Sequence, residues 1–348
     1  MSALPVTHRT AFHPEDLGVN ISRLVSDSRA VQPGDTFVAY PGTQADGRRF
    51  IAQALERGAN AVIWDAHDFK WQEQWSTPNV AVRDLRNQAG LIADQVYGHP
   101  SQKLWMVGVT GTNGKTSISH WLARSFTALE RKCALLGTLG NGFPGALSVT
   151  ANTTPDALLV HGLLAEYVSQ GARAAVMEVS SHALTQGRVN GVHYDVALLT
   201  NLTRDHLDYH GDMESYAAAK RRLFDWNSLK HAVLNLDDAF GEDLAEQLSQ
   251  QDNGVEVIGY GLNDQSLKLA ERLGIRMVYG NLAQMDAQGL TLQLHTSWGT
   301  AVLHSRQVGR FNASNLDDID ADAPDHGYAV LEFSVSITPR RSEISFSS

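Results

Sequence analysis

The segment Val109-Thr110-Gly111-Thr112-Asn113-Gly114-Lys115-Thr116 constrains this chain more than any other. It follows an apolar run at 104–109 and precedes a stretch in which Ile118, Leu122, Phe126 and Leu129 share one helical face. A glycine-rich turn between a strand and a helix aims backbone N–H groups at an anion, and the helix N-terminus adds positive potential. Lys115 supplies a mobile positive charge, and the Thr116 hydroxyl is a hard-oxygen ligand suited to Mg²⁺. The strict G-x-x-x-x-G-K-T spacing is not met, because Val109 stands at its first glycine. Gly-Lys-Thr at a strand-to-helix junction still predicts a nucleotide-binding α/β unit, with a Gly-rich helix cap as the plain structural alternative.

The surrounding text fits that unit. Short β-like runs at 36–40, 61–64 and 80–82 enclose a helical stretch at 49–57, and Leu85, Ala89, Ile92 and Val96 line one face of a helix over 85–97. These predict a small α/β domain over 1–99, ended by the linker Gly98-His99-Pro100-Ser101. A second unit over 100–315 alternates β-like runs at 133–136, 174–179, 196–201, 231–235 and 255–260 with helical stretches, which predicts a doubly wound, mostly parallel sheet. The β-rich text of 277–308 is suited to add an antiparallel edge, and 316–348, with five aspartates between Asp317 and Asp325, reads as a loose acidic tail.

Bulk properties narrow the function. A length of 348 residues suits two or three domains. No run approaches the roughly 18 apolar residues of a membrane span, and the first residues lack the pattern of a secretory leader, so the expected compartment is the cytoplasm, with no membrane partner. Cys133, the single cysteine, excludes an intrachain disulfide framework and reads as a buried strand residue. A formal charge of −10 argues against a general nucleic-acid binder.

Glu178 ends an apolar strand, where a carboxylate can face a nucleotide-bound metal or simply cap a helix. His206 and His210 have the i, i+4 spacing of a helical zinc pair, but the sequence offers no clear third protein ligand. Lys220, on a helix expected over 213–224, reads by itself as a surface lysine.

The variant T-G-T-N-G-K-T is characteristic of the Mur ligases and the related folylpolyglutamate synthases. An ordered set of further stretches resembles the Mur ligases: Asp27-Ser28-Arg29, Gln44-Ala45-Asp46-Gly47-Arg48, Asn152-Thr153-Thr154-Pro155, Met177-Glu178-Val179-Ser180-Ser181-His182, Asn201-Leu202-Thr203-Arg204-Asp205-His206, Ala219-Lys220 and Gly309-Arg310-Phe311-Asn312. The resemblance is strongest to those members that add a diamino acid to the UDP-N-acetylmuramoyl dipeptide, and it spans about 20–315. It implies an ATP-dependent amide ligase of peptidoglycan precursor synthesis, acting through an acyl phosphate, with meso-2,6-diaminopimelate as the added residue.

The same resemblance assigns residues. Gly111, Thr112, Asn113, Gly114, Lys115, Thr116, Ser117 and Asn312 would hold ATP, and Thr116, Glu178, His206 and Lys220 would ligate Mg²⁺, Lys220 as a carbamate formed from CO₂. Lys115, Glu178, His206 and Lys220 form the implied catalytic set. Ser26, Ser28, Thr43, Gln44 and Ala45 match UDP-binding positions, Thr43 standing where a histidine is common. Thr153, Thr154, Ser180, Gln186 and Arg188 match positions that hold the muramoyl dipeptide.

After Leu316 the family pattern stops, and no Asp-Asn-Pro-Arg occurs, so a Rossmann-like third domain that selects the amino acid is expected to be missing. A binding module that holds ATP and the UDP-linked dipeptide without completing ligation is therefore an alternative reading, and a folylpolyglutamate synthase-like ligase a lesser one.

Overall fold

Parallel strands that are apolar on both faces need cover on both sides, and this requirement organises both sheets of the molecule. The computed structural model describes residues 12–43, 45–286 and 289–305. The chain runs through β1 (Leu24–Val25), β2 (Thr36–Ala39), α1 (Ile51–Glu56), β3 (Ala61–Asp65), β4 (Asn79–Val82), α2 (Leu85–Val96), β5 (Trp105–Thr110), α3 (Lys115–Ala128), β6 (Cys133–Gly137), β7 (Gly140–Phe143), β8 (Ala146–Ser148) and α4 (Ala157–Ser169). It continues through β9 (Ala174–Glu178), α5 (Ser181–Thr185), β10 (Val196–Leu199), α6 (Leu207–His210), α7 (Met213–Arg221), β11 (His231–Asn235), α8 (Ala239–Ser249), β12 (Glu256–Gly261), α9 (Asp264–Leu273), β13 (Arg276–Asp286), β14 (Gly289–Thr296) and β15 (Gly299–Ser305).

Packing divides the described residues into two units. The first holds everything up to Leu104 together with Thr154–Gly171 and His182–Val192, and the second holds the rest. The first unit has a parallel sheet in the order β1-β2-β3-β4. Side chains alternate across a strand: Val38, Ala61 and Ile63 pack with Leu85, Ala89 and Ile92 of α2 and with Ala157 and Leu158 of α4. Phe37, Ala39, Val62 and Trp64 face the other way, onto Ile51 and Ala54 of α1. Helix α2 begins where the Leu85 N–H donates to Asp65 Oδ2 at 2.8 Å, so a buried carboxylate at the end of β3 satisfies an N-terminal donor of the helix.

The second unit is one sheet in the order β15-β14-β13-β12-β11-β10-β5-β9-β6-β7-β8. Strands β6, β9, β5, β10, β11, β12 and β13 run parallel. The expected antiparallel edge is present as β14 and β15, and a hairpin of β7 and β8 extends the opposite side. Helix α3 buries Ile118, Trp121, Leu122, Ala123 and Phe126 against Val107, Val109, Cys133, Leu135, Val176, Val196 and Leu198. Leu129 departs from the expected apolar face: the helix ends at Ala128, the C-cap leaves helical geometry, and Leu129 is 55% exposed. The 316–348 tail and Asn312 lie outside the described residues.

The chain leaves β5 between β9 on one side and β10 on the other. Such a split opens a crevice at the carboxyl ends of the strands, where α/β sheets place ligands. Burial predicts that Leu122→Ala costs about 2–5 kcal/mol, through lost transfer energy and a residual cavity, whereas Leu91→Ala on the exposed side of α2 stays within about 0.5 kcal/mol. Urea unfolding midpoints of the two variants check this.

Candidate functional site

The loop from β5 into α3 is shaped by two glycines. Gly111 has φ +150°, and a Cβ there would lie 1.8 Å from Thr200 Oγ1 and 3.0 Å from the Asn201 carbonyl, so only glycine lets the loop pass the end of β10. Gly114, left-handed with φ 83°, is the N-cap of α3 and leaves the helix N-terminus without a side-chain cap. The first-turn N–H groups of a helix have no intrahelical acceptor. Bare of a cap, this end suits phosphate oxygens.

Around the loop the strand ends converge. The Thr112 N–H donates to Asn201 O at 2.9 Å, the Asn113 N–H to Asn201 Oδ1 at 3.0 Å, and the Thr203 N–H to Thr112 Oγ1 at 2.9 Å. Lys115 curls back so that Nζ donates to the carbonyls of Gly111 (3.0 Å) and Thr112 (2.8 Å). Ser117 lies two residues further into the first turn, half-buried.

Glu178, the last residue of β9, is fully buried. Its Oε1 accepts the Thr138 N–H at 2.8 Å, and its Oε2 accepts the hydroxyls of Thr116 and Thr138, each at 2.9 Å. Burial raises its pKa above the ordinary value, and the Thr138 N–H, the two hydroxyls and Lys115 oppose that rise. The Thr138 hydroxyl also reaches Thr153 Oγ1 at 3.1 Å, tying one of the expected substrate residues to the cluster.

Lys220 is no surface residue. It is 1% exposed, and its Nζ donates to the Gly111 carbonyl at 2.6 Å while lying 4.5 Å from the centre of the Tyr216 ring. Burial, then repulsion by Lys115, holds its pKa well below that of a free lysine. Tyr216 is itself buried; its hydroxyl is hydrogen-bonded to Thr112 Oγ1 at 3.3 Å, and its ring meets His206 edge-on at 6.2 Å.

His206 is half-exposed, with a left-handed backbone just before α6. His210 turns to Ser181, Nε2 to Oγ 2.9 Å, so the two histidines do not form the helical pair that zinc would need. Among the described residues no group of three or more His, Cys, Asp and Glu side chains gathers to hold a metal. The oxygens of Thr116 and Glu178, 2.9 Å apart, are nonetheless a hard donor set of the kind Mg²⁺ prefers. Ser180 follows β9 at the same strand end.

A separate group forms in the first unit. Tyr40, hydrogen-bonded to Ser26, has its phenol pushed up to about 12 by burial first and then by Asp156, with Arg86 and Arg188 opposing. Arg188 donates through Nε and Nη2 to Gln186 Oε1 and through Nη1 to the carbonyl of the buried Thr154. Ser26, Thr154, Gln186 and Arg188 therefore share one neighbourhood. Ser28 is buried and donates to Gln53 Oε1 at 2.6 Å, whereas Thr43 and Ala45 are exposed and Gln44 lies outside the described residues.

Sequence reading missed Thr138 and Tyr216. Tyr216 was findable, since it precedes Lys220 by four positions on a helix and must share its face. Thr138 was not, because the pairing of β6 with β9 that delivers it is a long-range event.

Comparison with known proteins places these residues in a family. The model described as the Mur ligase middle domain matches residues 109–316, and that described as the Mur ligase family, catalytic domain, matches residues 20–97. The chain belongs to the Mur ligase family. A Chromobacterium violaceum protein named UDP-N-acetylmuramoyl-L-alanyl-D-glutamate–2,6-diaminopimelate ligase is 52% identical over 306 residues, covering 87% of this chain and 59% of its own length. A Nitrosomonas europaea protein of the same name is 48% identical over 301 residues, covering 86% and 57%. A solved structure of a ligase so named superposes with a TM-score of 0.69 at 35% identity, covering 85% of this chain and 58% of that one. The chain thus spans a little under three-fifths of the length of these Mur ligases. The middle-domain match contains the loop, Glu178, His206, Lys220 and Arg188, and the other match contains Ser26, Ser28, Thr43 and Ala45. No helix among the described residues is long and apolar enough to cross a membrane.

A carboxyl whose folded pKa is raised contributes stability below its unfolded pKa and loses it as pH rises through the folded value. For Glu178 the ionised form therefore weakens the ligand-free fold at neutral and higher pH. Glu178→Gln keeps an acceptor for the Thr138 N–H and removes the charge. Its ligand-free melting temperature in chelator should exceed the parent's at about pH 8 and converge with it near pH 4, the ordinary carboxyl range. A lower melting temperature at the higher pH would contradict this account.

Proposed function

We propose that this chain binds ATP and a UDP-N-acetylmuramoyl dipeptide, and that its chemistry is the ATP-dependent joining of meso-2,6-diaminopimelate to the D-glutamyl carboxylate in peptidoglycan precursor synthesis. The observation that carries the proposal is the convergence of the uncapped α3 N-terminus, Lys115, the Thr116–Glu178 oxygen pair and Lys220 on one loop. The relatives' name supplies the substrate class.

In this reading the dipeptide carboxylate attacks the γ-phosphorus of ATP, the bond to ADP breaks, and an acyl phosphate forms. The amine of the diamino acid then attacks the acyl carbon and phosphate leaves, with loss of a proton from the amine. No protein nucleophile is required; the residues position and neutralise. Lys115 would exchange its loop carbonyls for phosphate oxygens, because bonds between charged partners are roughly twice as strong as neutral ones. Thr116, Glu178, His206 and a carbamate on Lys220 would hold Mg²⁺, which when bound draws charge from the transferring phosphoryl group.

Carbamate formation needs a neutral amine to attack CO₂, and burial beside Lys115 favours that form of Lys220. Gly111, Thr112, Asn113, Gly114, Ser117 and Asn312 complete the ATP set. Ser26, Ser28, Thr43, Gln44 and Ala45 would take the UDP group, and Thr153, Thr154, Ser180, Gln186 and Arg188 the dipeptide. We place the enzyme in the cytoplasm.

Calorimetry with ATP and Mg²⁺ tests the nucleotide half. Lys115→Ala should weaken binding about 10- to 100-fold, as loss of one charged hydrogen-bonding partner implies, and a parent chain that fails to bind ATP would sink the proposal. Incubation with the dipeptide and meso-diaminopimelate should yield ADP together with the UDP-tripeptide; binding of both substrates without ADP would restrict the chain to the binding roles. In ¹³C-bicarbonate, a carbamate carbon resonance should appear and vanish in Lys220→Ala.

A further inference from the structure

Within the first unit, residues 186–191 form a tight turn whose placement is unusually over-determined. Asn190 donates through Nδ2 to the Asn87 carbonyl on α2 at 3.0 Å, and its own carbonyl oxygen sits so close to Gly90 that a Cβ there would lie 2.1 Å away. From the other side His161 of α4, fully buried, brings Nε2 to 3.0 Å from that same Asn190 oxygen. A carbonyl only accepts, so Nε2 carries the proton in this arrangement.

The other ring nitrogen faces a carboxylate. Nδ1 of His161 lies 3.6 Å from Oδ1 of the buried Asp94, whose Oδ2 is 2.6 Å from Nδ1 of His99. Neither Asp94 Oδ1 nor His161 Nδ1 has a hydrogen-bond partner among the described residues. The His161 ring thus lies between an acidic group on α2 and a backbone carbonyl of the turn, and its hydrogen bond is to the carbonyl. The described catalytic cluster uses none of His161, Asp94 or Gly90.

We propose that His161 is a positioning residue for substrate: by donating Nε2–H to the Asn190 carbonyl, with Asp94 behind it, it seats the 186–191 turn that presents Gln186 and Arg188 to the UDP-linked dipeptide. The turn's internal bonds agree with that purpose. Arg188 N–H donates to Ala183 O, Asn190 N–H to Gly187 O, and Val189 is fully buried, so a shift at Asn190 moves the backbone two residues from the guanidinium. This inference rests on the proposed substrate role of Arg188.

The test measures binding to the 348-residue chain by calorimetry, with UDP-N-acetylmuramoyl-L-alanyl-D-glutamate and, separately, with ATP and Mg²⁺. His161→Phe, which fills the ring volume without a donor, should weaken dipeptide binding about tenfold, the loss expected for one buried hydrogen bond. His161→Gln, whose amide nitrogen can occupy the place of Nε2, should restore it to within about threefold of the parent, a smaller loss than that bond. ATP binding should be unchanged in both. Hydrogen exchange should quicken at Arg188 and Asn190 in His161→Phe and return in His161→Gln.

Arg188→Ala separates the two layers of the argument. If it leaves dipeptide affinity unchanged, the substrate reading fails. If it weakens binding while His161→Phe binds like the parent, only the positioning role of His161 is overturned. Should His161→Phe lose its cooperative melt, His161→Met, which also lacks the donor, takes its place and should show the same roughly tenfold loss of dipeptide affinity; parent-like binding by it would overturn the inference.

Discussion

One carbonyl oxygen, that of Gly111, accepts hydrogen bonds from two lysine amines, Lys115 at 3.0 Å and Lys220 at 2.6 Å. The rest of the second unit can be read from this shared acceptor. A buried ammonium is tolerated only with partners, and two of them on one neutral oxygen repel each other. Loss of the Lys220 proton relieves that tension, and so would an anion at the loop. Burial first, and then repulsion by Lys115, drive Lys220 toward its neutral form.

The arrangement depends on strand order more than on local sequence. Gly111 follows β5, Glu178 ends β9, Thr138 follows β6 and Asn201 follows β10, and these strands are neighbours in the order β10-β5-β9-β6. Lys220 reaches the same point from α7, over the face of Tyr216. Each side chain is chemically ordinary by itself. Desolvation raises the pKa of Glu178 against the opposing pull of its hydrogen-bond donors and Lys115, while desolvation and then Lys115 lower that of Lys220, opposite shifts of the kind that cluster at functional sites.

How much of this was legible in the sequence follows from the range of the interactions. The loop, the parallel sheet and the antiparallel edge of β14 and β15 were readable, because periodicity and glycine placement are local. Leu129 was misassigned because a helix end is set by capping, which hydrophobic spacing does not report. The burial of Lys220 was invisible to composition, and resemblance supplied only its expected role as a carbamate. Nor does any local pattern announce that α4, lying in sequence between β8 and β9, packs Ala157 and Leu158 into the core of the first unit, or that His161 on that helix meets a turn some thirty residues later. Such placements arise from pairing distant segments, and single-residue propensities carry no information about them.

The most direct measurement is a crystal structure of the chain with Mg²⁺ and a non-hydrolysable ATP analogue. The account predicts phosphate oxygens on the N–H groups at the start of α3, Mg²⁺ on Thr116 and Glu178, and Lys115 withdrawn from the Gly111 carbonyl to the phosphates. A nucleotide bound elsewhere, or a loop whose lysines both remain on Gly111 with the analogue in place, would contradict it.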